Sequence, residues 1–440
     1  MKQITIGKGK SELVSTGGNH LCGMLFRNEA QPTLPENLTP KRKDAISDRD
    51  VLSAQVGLLC NARNDFNDIE LYRDDEVFRH SFGINKLPSE AVFRQRLDEL
   101  PESKTHGALR ESNLSFLSKQ TFGTVEVAGL DLVPVDVDVS PLDNSGSAKQ
   151  GVSHTYKGHA GYAPMFAYIG TEGYMLDCEL RPGKQHCQSG TPEFLRRTTA
   201  ALEQLGVGGR ALYRLDSGND AKENFAELGD NLFIIKRNLR KQCPEQLLAM
   251  ARRVGEKVDS REGKNVYRGI FSHYHPGNDT TLPPVPVVFE VTERLGDVNE
   301  TQMLLPEIEV ATYWTNLPCG AEEVIALYHA HGTSEQFHSE VKTDMDLERL
   351  PSGKLCVNKI ILLCGMISYN VLRALGQKVI RRAGIAPIRI KVSRWRLKTV
   401  LQNIVYCAGK LVRHAGRLEL QFGKLCPWYA VIKDISAAYA

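Results

Sequence analysis

The chain reads as an α/β protein: an open sheet with mixed strand directions, interrupted by a β-rich insertion and flanked by helical N-terminal and C-terminal regions. Three observations predict this. Alternating apolar and polar residues from Thr124 to Gly183 describe a three-stranded antiparallel meander. Helical and strand-like segments then alternate from Thr191 to Arg237, and further alternating segments separated by Gly, Pro, Asn and Asp fill residues 240–320. At 440 residues and 42% hydrophobic, the chain can bury a large core and has room for two to four domains at roughly 150 residues each.

Taken in order, residues 1–120 form a mainly helical region expected to bind DNA. Within it, residues 28–46 are rich in proline and polar groups, end in Lys41, Arg42 and Lys43, and read as a linker or exposed loop. Ser47 and Asp48 are candidate caps for a helix through Val51 to Leu59. Residues 65–78 suit one or two short helices, and Ser89 precedes the helix EAVFRQRLDEL. Arg94 and Arg96 on that last helix suit a DNA-reading element, although a small helical bundle without DNA contact gives the same pattern.

Residues 121–239 carry three strands, then helix (from Thr191), strand (Ala211 to Leu215), helix (Asp220 to Leu228) and strand (NLFIIKR). This is the element order of ribonuclease-H-like nuclease cores. The insertion spans 240–320. Residues 321–353 return to helix, and 354–440 read as a basic helical C-terminal region. From Lys378 to Lys424 that region holds Arg394, Arg396, Lys398 and other bases, with Glu419 as its sole acid, a composition that can neutralise phosphates.

The formal net charge of +3 and pI near 8.2 do not by themselves indicate a nucleic-acid partner, so local charge carries that inference. The ten cysteines include no C-x-x-C pair, which disfavours a zinc or dithiol site and suits reduced thiols. MKQITIGKGKSELV lacks the features of a secretory signal, which predicts a cytoplasmic protein. The most apolar run, Ile360 to Ile367, falls far short of the roughly 20 residues that span a bilayer, so a buried helix is expected there and no membrane partner.

The candidate chemistry begins with YHAHGTSEQFHSEVK. At ~100° per residue, Tyr328, His331, Glu335 and Lys342 fall at roughly 0°, 300°, 340° and 320°, within one helix face. A solvated polar face is the ordinary explanation. In PVDVDVS, however, alternation places Asp136 and Asp138 together on the face opposite the valines, and Asp216 ends an apolar strand of its own. Outside the strand ends of an open α/β sheet is where ligands bind. Two aspartates from adjacent strands and Glu335 from a packed helix would offer oxygen ligands to two Mg²⁺ or Mn²⁺ ions, chemistry suited to in-line displacement at phosphorus. Each acid taken singly also suits a turn or cap.

These residues resemble the DDE transposases of bacterial insertion sequences, in the group whose third acid lies in Y-x2-R-x3-E-x6-K. Tyr328, Glu335 and Lys342 match that motif, while His331 replaces its arginine and removes the bidentate phosphate fork. The thirteen-eighty insertion-sequence family is the most similar, through D-x-D-x-S/T at Asp136 to Ser140, G-Y-x-P at Gly161 to Pro164, L-R-P-G at Leu180 to Gly183 and R-x-D-S-G at Arg214 to Gly218. The similarity covers roughly Asp131 to Lys342.

The resemblance implies a ribonuclease-H-like core, two divalent ions held by Asp138, Asp216 and Glu335, and cutting and joining of double-stranded DNA by a homodimer on paired transposon ends. Asp136 is the alternative to Asp138 as first acid. Tyr328, His331, Lys342, Arg94, Arg96, Arg214, Arg394, Arg396 and Lys398 are the expected DNA contacts. Trp314 is either a base-stacking residue or part of the core. A ribonuclease-H-like nuclease without strand transfer, and a non-catalytic DNA-binding derivative, are the competing functions.

Overall fold

The computed structural model describes residues 6, 11–40, 45–261, 263–274, 284–296, 302–388, 392–414 and 416–439. The expectations for Lys41 to Lys43, for two of the bases between Lys378 and Lys424 (Arg389 and Lys391) and for most of MKQITIGKGKSELV lie outside them.

Ten strands form one mixed sheet: β1 (Val125–Val127), β2 (Leu130–Val139), β3 (Met165–Ile169), β4 (Tyr174–Glu179), β5 (Ala211–Leu215), β6 (Leu232–Lys236), β7 (Glu256–Arg261), β8 (Lys264–His273), β9 (Val285–Gly296) and β10 (Gln302–Thr315). The order across it is β7-β8-β9-β10-β6-β5-β2-β3-β4, with β1 paired to β2. β2, β3 and β4 run antiparallel, whereas β5 and β6 lie parallel on the other side of β2. Three antiparallel strands joined to two parallel ones, with β2 between the two groups, is the ribonuclease-H-like arrangement the element order predicts. Valines 133, 135 and 137 fill its interior. β2 and β5 are buried along most of their length, as expected where strands are covered on both faces.

The insertion extends this same sheet rather than forming a separate one, since β10 pairs antiparallel with β6. It also contains a helix, Pro244–Val254, and the strand β7, neither of which is among the segments read from the sequence. Pro244 at the first helical position and the apolar pair Leu248 and Ala251, which pack against Phe289 and Val291, account for that helix.

The N-terminal helices α1 (Asn19–Glu29), α2 (Asp48–Leu59), α3 (Glu76–Ser81), α4 (Glu90–Asp98) and α5 (Glu102–Leu117) share one hydrophobic core with the sheet. Ser47 caps α2 by accepting from the Asp50 N–H. The supposed linker is partly core: Ala30 and Leu34 are buried, and Gln31 donates to the Ser53 hydroxyl and the Phe82 carbonyl.

The long helix Leu355–Ile380 joins the layers, packing on β4 and on α1, α2 and α5. Asn370 accepts from the Met175 N–H at 2.7 Å and donates to the Met175 carbonyl and to Asn113 Oδ1, each at 2.7 Å. The Met175 backbone groups at the open edge of the sheet are thereby satisfied by a side chain. By length and composition this helix could cross a membrane, but 83% of its apolar window is buried inside the protein.

The C-terminal region is not wholly helical. Gly409–His414 and Arg417–Phe422 form a hairpin that pairs with Leu13–Val14, followed by a last helix, Tyr429–Ala437.

Candidate active site

β2 and β5 lie in parallel register with Val137 opposite Leu215, so Asp138 and Asp216 follow side by side at the carboxyl ends of adjacent strands. The third element starts at helix α6 (Ala321–Ala330), passes through a tight turn at His331–Thr333 into α7 (Ser334–Ser339), and ends in a wider π-helical turn at Glu340–Asp344. The tight turn over-rotates the chain and the wide turn under-rotates it. The predicted common face therefore survives: Tyr328, His331, Glu335 and Lys342 all line one cavity of about 680 Å³, together with Asp138 and Asp216.

Each acid has a distinct environment. Asp138 accepts from the Val139 N–H at 2.7 Å, and its other oxygen lies 3.3 Å from His338 Nε2. Burial alone would raise its pKa, but the hydrogen bond and charge of His338 outweigh burial and hold it below the usual range. Asp216 accepts from Asn219 Nδ2 at 2.6 Å, yet burial and the neighbouring Asp138 charge push it up to about 6. Glu335, in the first turn of α7, is exposed. Burial lowers the Lys342 pKa and raises that of Tyr328, the latter with help from the Asp216 charge. Tyr328 also packs on Tyr313, with ring centres 4.7 Å apart.

His338 is absent from the residues the sequence singled out. It sits between Asp138 and the Tyr168 hydroxyl, 3.2 Å from its Nδ1, and its ring packs on Phe166. The signal was its position three residues beyond Glu335, on the same helix side.

Asp136 and Asp138 do share a strand face, but Asp136 is only 2% exposed and fully engaged. Arg214 donates to its two oxygens at 2.7 and 2.8 Å and to the Leu327 carbonyl at 2.9 Å, while His331 Nδ1 meets Oδ1 at 2.8 Å. Burial would raise the Asp136 pKa, and Arg214 and His331 overcome it. This corrects three expectations. Asp136 is taken up by the fold rather than free to hold a metal, Arg214 is a buried partner of an acid rather than a DNA contact, and His331 ties the helical segment that carries Glu335 to β2 while presenting part of its ring to the cavity. The register carried the hint, because Asp136 pairs with Arg214 across the strands as Asp138 adjoins Asp216.

Other expected DNA contacts also turn inward. Trp314 is 2% exposed, donates to Asp220 Oδ1 at 3.0 Å and packs edge-on against Phe225, so it is core. Arg96 is buried against Asp48 and Glu99, which rules out a base-reading role in this conformation. Arg94 is exposed but lies over Phe66 and pairs with Glu90. Arg394 pairs with the buried Glu340, and Arg396 with Asp344, so neither is a free cation of a basic stripe. Lys398 is exposed.

Residues 2–439 match the family model Transposase DDE domain group 1. The chain belongs to this family. Membership places it among DNA-transposing enzymes, a class that generally uses divalent metal ions. No curated protein matches it. Among solved structures, the cryo-EM structure of a piggyBac transposase synaptic complex with hairpin DNA is similar at 10% identity and a TM-score of 0.46, covering 88% of this chain and 79% of that one.

The donor set suits such an ion. Asp138 and Asp216 are hard oxygen donors held close enough for one to raise the other's pKa, a repulsion a divalent cation would relieve. Among the described residues, no group of three or more His, Cys, Asp or Glu side chains is already drawn together around a common point. Asp138 and Asp216 stand side by side at the ends of adjacent strands, and Glu335 lines the same cavity from the helix.

Proposed function

We propose that this chain is the transposase of a bacterial insertion sequence related to the thirteen-eighty family, acting in the cytoplasm on double-stranded DNA. It binds the terminal inverted repeats as a homodimer, cleaves at the ends and joins the freed 3′-hydroxyls to target DNA. The observation that carries this reading is the placement of Asp138 and Asp216 at the ends of adjacent parallel strands, with Glu335 lining the same cavity.

Asp138, Asp216 and Glu335 would hold two Mg²⁺ or Mn²⁺ ions, which when bound supply the charge to activate a water or 3′-hydroxyl and to stabilise the leaving oxygen. The chain's own groups do the rest. His338 holds Asp138 at one oxygen, and among the described residues the other is bonded only to the backbone of Val139. Tyr328 offers a neutral phenol, kept protonated by burial and nearby acids, as a donor to a phosphate oxygen. Lys342 supplies an ammonium on the same wall. Where the related motif has an arginine, His331 gives its Nδ1 to Asp136 and so contributes at most one ring nitrogen to the phosphate.

Cutting and joining of DNA bearing the repeats that flank the coding region tests the proposal. Mg²⁺- or Mn²⁺-dependent strand transfer by the wild-type protein is expected. DNA released without joining would favour a nuclease instead, and end binding without any cleavage would favour a non-catalytic derivative.

A further inference from the structure

Trp314 is buried in the core, but another aromatic stands at the site. Tyr156 is 67% exposed, lines the same cavity as Asp138, Asp216 and Glu335, and donates its hydroxyl to the Val139 carbonyl at 3.1 Å. Val139 directly follows the first acid. The ring is therefore pinned beside the acids while most of its surface faces solvent.

The turn that carries it is firmly closed. Thr155 is buried, and both its N–H and its hydroxyl donate to the His159 carbonyl at 2.9 Å. The Gly158 N–H returns to the Thr155 carbonyl at 3.0 Å, and Gly158 adopts φ +86°, a conformation that side-chain-bearing residues rarely tolerate. An exposed aromatic ordinarily loses rotamer freedom on binding, but here the tether has already restricted it.

Lys157, next in the turn, is exposed and lines the cavity, as do Lys236 at the end of β6 and Lys342. Lys157 is close enough to Lys342 to help depress its pKa. Among the described residues none of these three ammonium groups has a carboxylate ion-pair partner within 4.0 Å. Ammonium groups with no direct ion pair beside an acidic centre fit a polyanionic strand that runs through the site, with phosphates on either side of the one being cut.

We infer that the Thr155–His159 turn is a DNA-strand contact in which Tyr156 stacks on the unpaired base next to the scissile phosphate and Lys157 binds an adjoining phosphate. The inference rests on the transposase reading and adds the residues that grip the cut strand. Stacking on a pinned ring is tolerant of sequence, so Tyr156 positions the strand without selecting the base. It holds the base out of the duplex, which keeps the phosphodiester aligned with the acids.

The test uses end DNA carrying 5-iodouracil at the nucleotide beside the cleavage point, with the full-length protein. Photo-crosslinking should map to Tyr156 and be lost in Tyr156→Ala. Cleavage by that variant at saturating protein should fall roughly tenfold or more, beyond whatever end affinity is lost with the stacking contact. Tyr156→Phe keeps the ring but loses the hydroxyl tether, so it should retain the crosslink and lose less rate than Tyr156→Ala, and the melting temperature of both variants should stay close to wild type because most of the side chain is exposed. A crosslink at another residue, or Tyr156→Ala cutting at the wild-type rate, overturns the inference while leaving the transposase reading standing. Wild-type protein that does not cut end DNA overturns both.

Discussion

Replacing Arg214 with methionine should destabilise the protein and separate the roles of Asp136 and Asp138. Arg214 is 3% exposed and makes both guanidinium bonds to Asp136, itself 2% exposed. Methionine fills much of the volume but leaves Asp136 with His331 as its one remaining cationic partner. Removing one member of a buried pair costs about 3–5 kcal/mol. For a chain of 440 residues at about 2.1 cal/mol/K per residue, the unfolding entropy is about 0.9 kcal/mol/K, so the melting temperature should drop by about 3–6 °C if unfolding is a single transition. The double variant Arg214→Met/Asp136→Leu should recover most of the loss, because no unpaired charge remains. Differential scanning calorimetry, with urea unfolding as a second probe, measures both. An Arg214→Met protein as stable as wild type would mean that Asp136 is solvated and free, and would return it to the candidate ligands.

Four further outcomes follow from the same geometry. Asp216 is raised to about 6, so protons compete with metal below that pH: Mn²⁺ affinity measured by calorimetry should fall roughly tenfold between pH 7 and pH 5, and pH-independent affinity would contradict the assigned environment. The same shift makes the metal-free fold lose stability as pH rises from about 4 to about 6, because the folded state holds that proton more tightly than the unfolded chain. Glu340 is buried between Arg373 and Arg394, so Glu340→Ala should cost about 3–5 kcal/mol in urea unfolding, and a change under 1 kcal/mol would refute that network. Trp314→Ala should cost about 3–5 kcal/mol yet leave end-DNA affinity of the folded protein unchanged in a mobility-shift titration, whereas weakened binding at full stability would place Trp314 on the DNA after all.

Much of the fold was legible because periodicity survives in the strands and helices around the site. The meander and the following helix-strand pairs lie where alternation and 3.6-residue spacing put them, with Thr191–Gln204, Ala211–Leu215 and Leu232–Lys236 as examples. The segment from Tyr328 to Lys342 was legible as a face although it is not one regular helix, because its tight and wide turns nearly cancel in rotation. What was lost was tertiary pairing. A lone sequence does not say that Arg214 meets Asp136 or that Arg394 meets Glu340, so basic residues were assigned to DNA that the fold uses for itself. Other misses were local and readable: PEQLLAMARRV has an N1 proline and helical apolar spacing, and RLELQF alternates strictly.

The most direct measurement is strand transfer on paired-end DNA by wild type and by Asp138→Asn, Asp216→Asn and Glu335→Gln. The account predicts metal-dependent joining by wild type, loss of cleavage and joining in all three variants, and end binding retained in each. Full activity in Asp216→Asn and Glu335→Gln would contradict it.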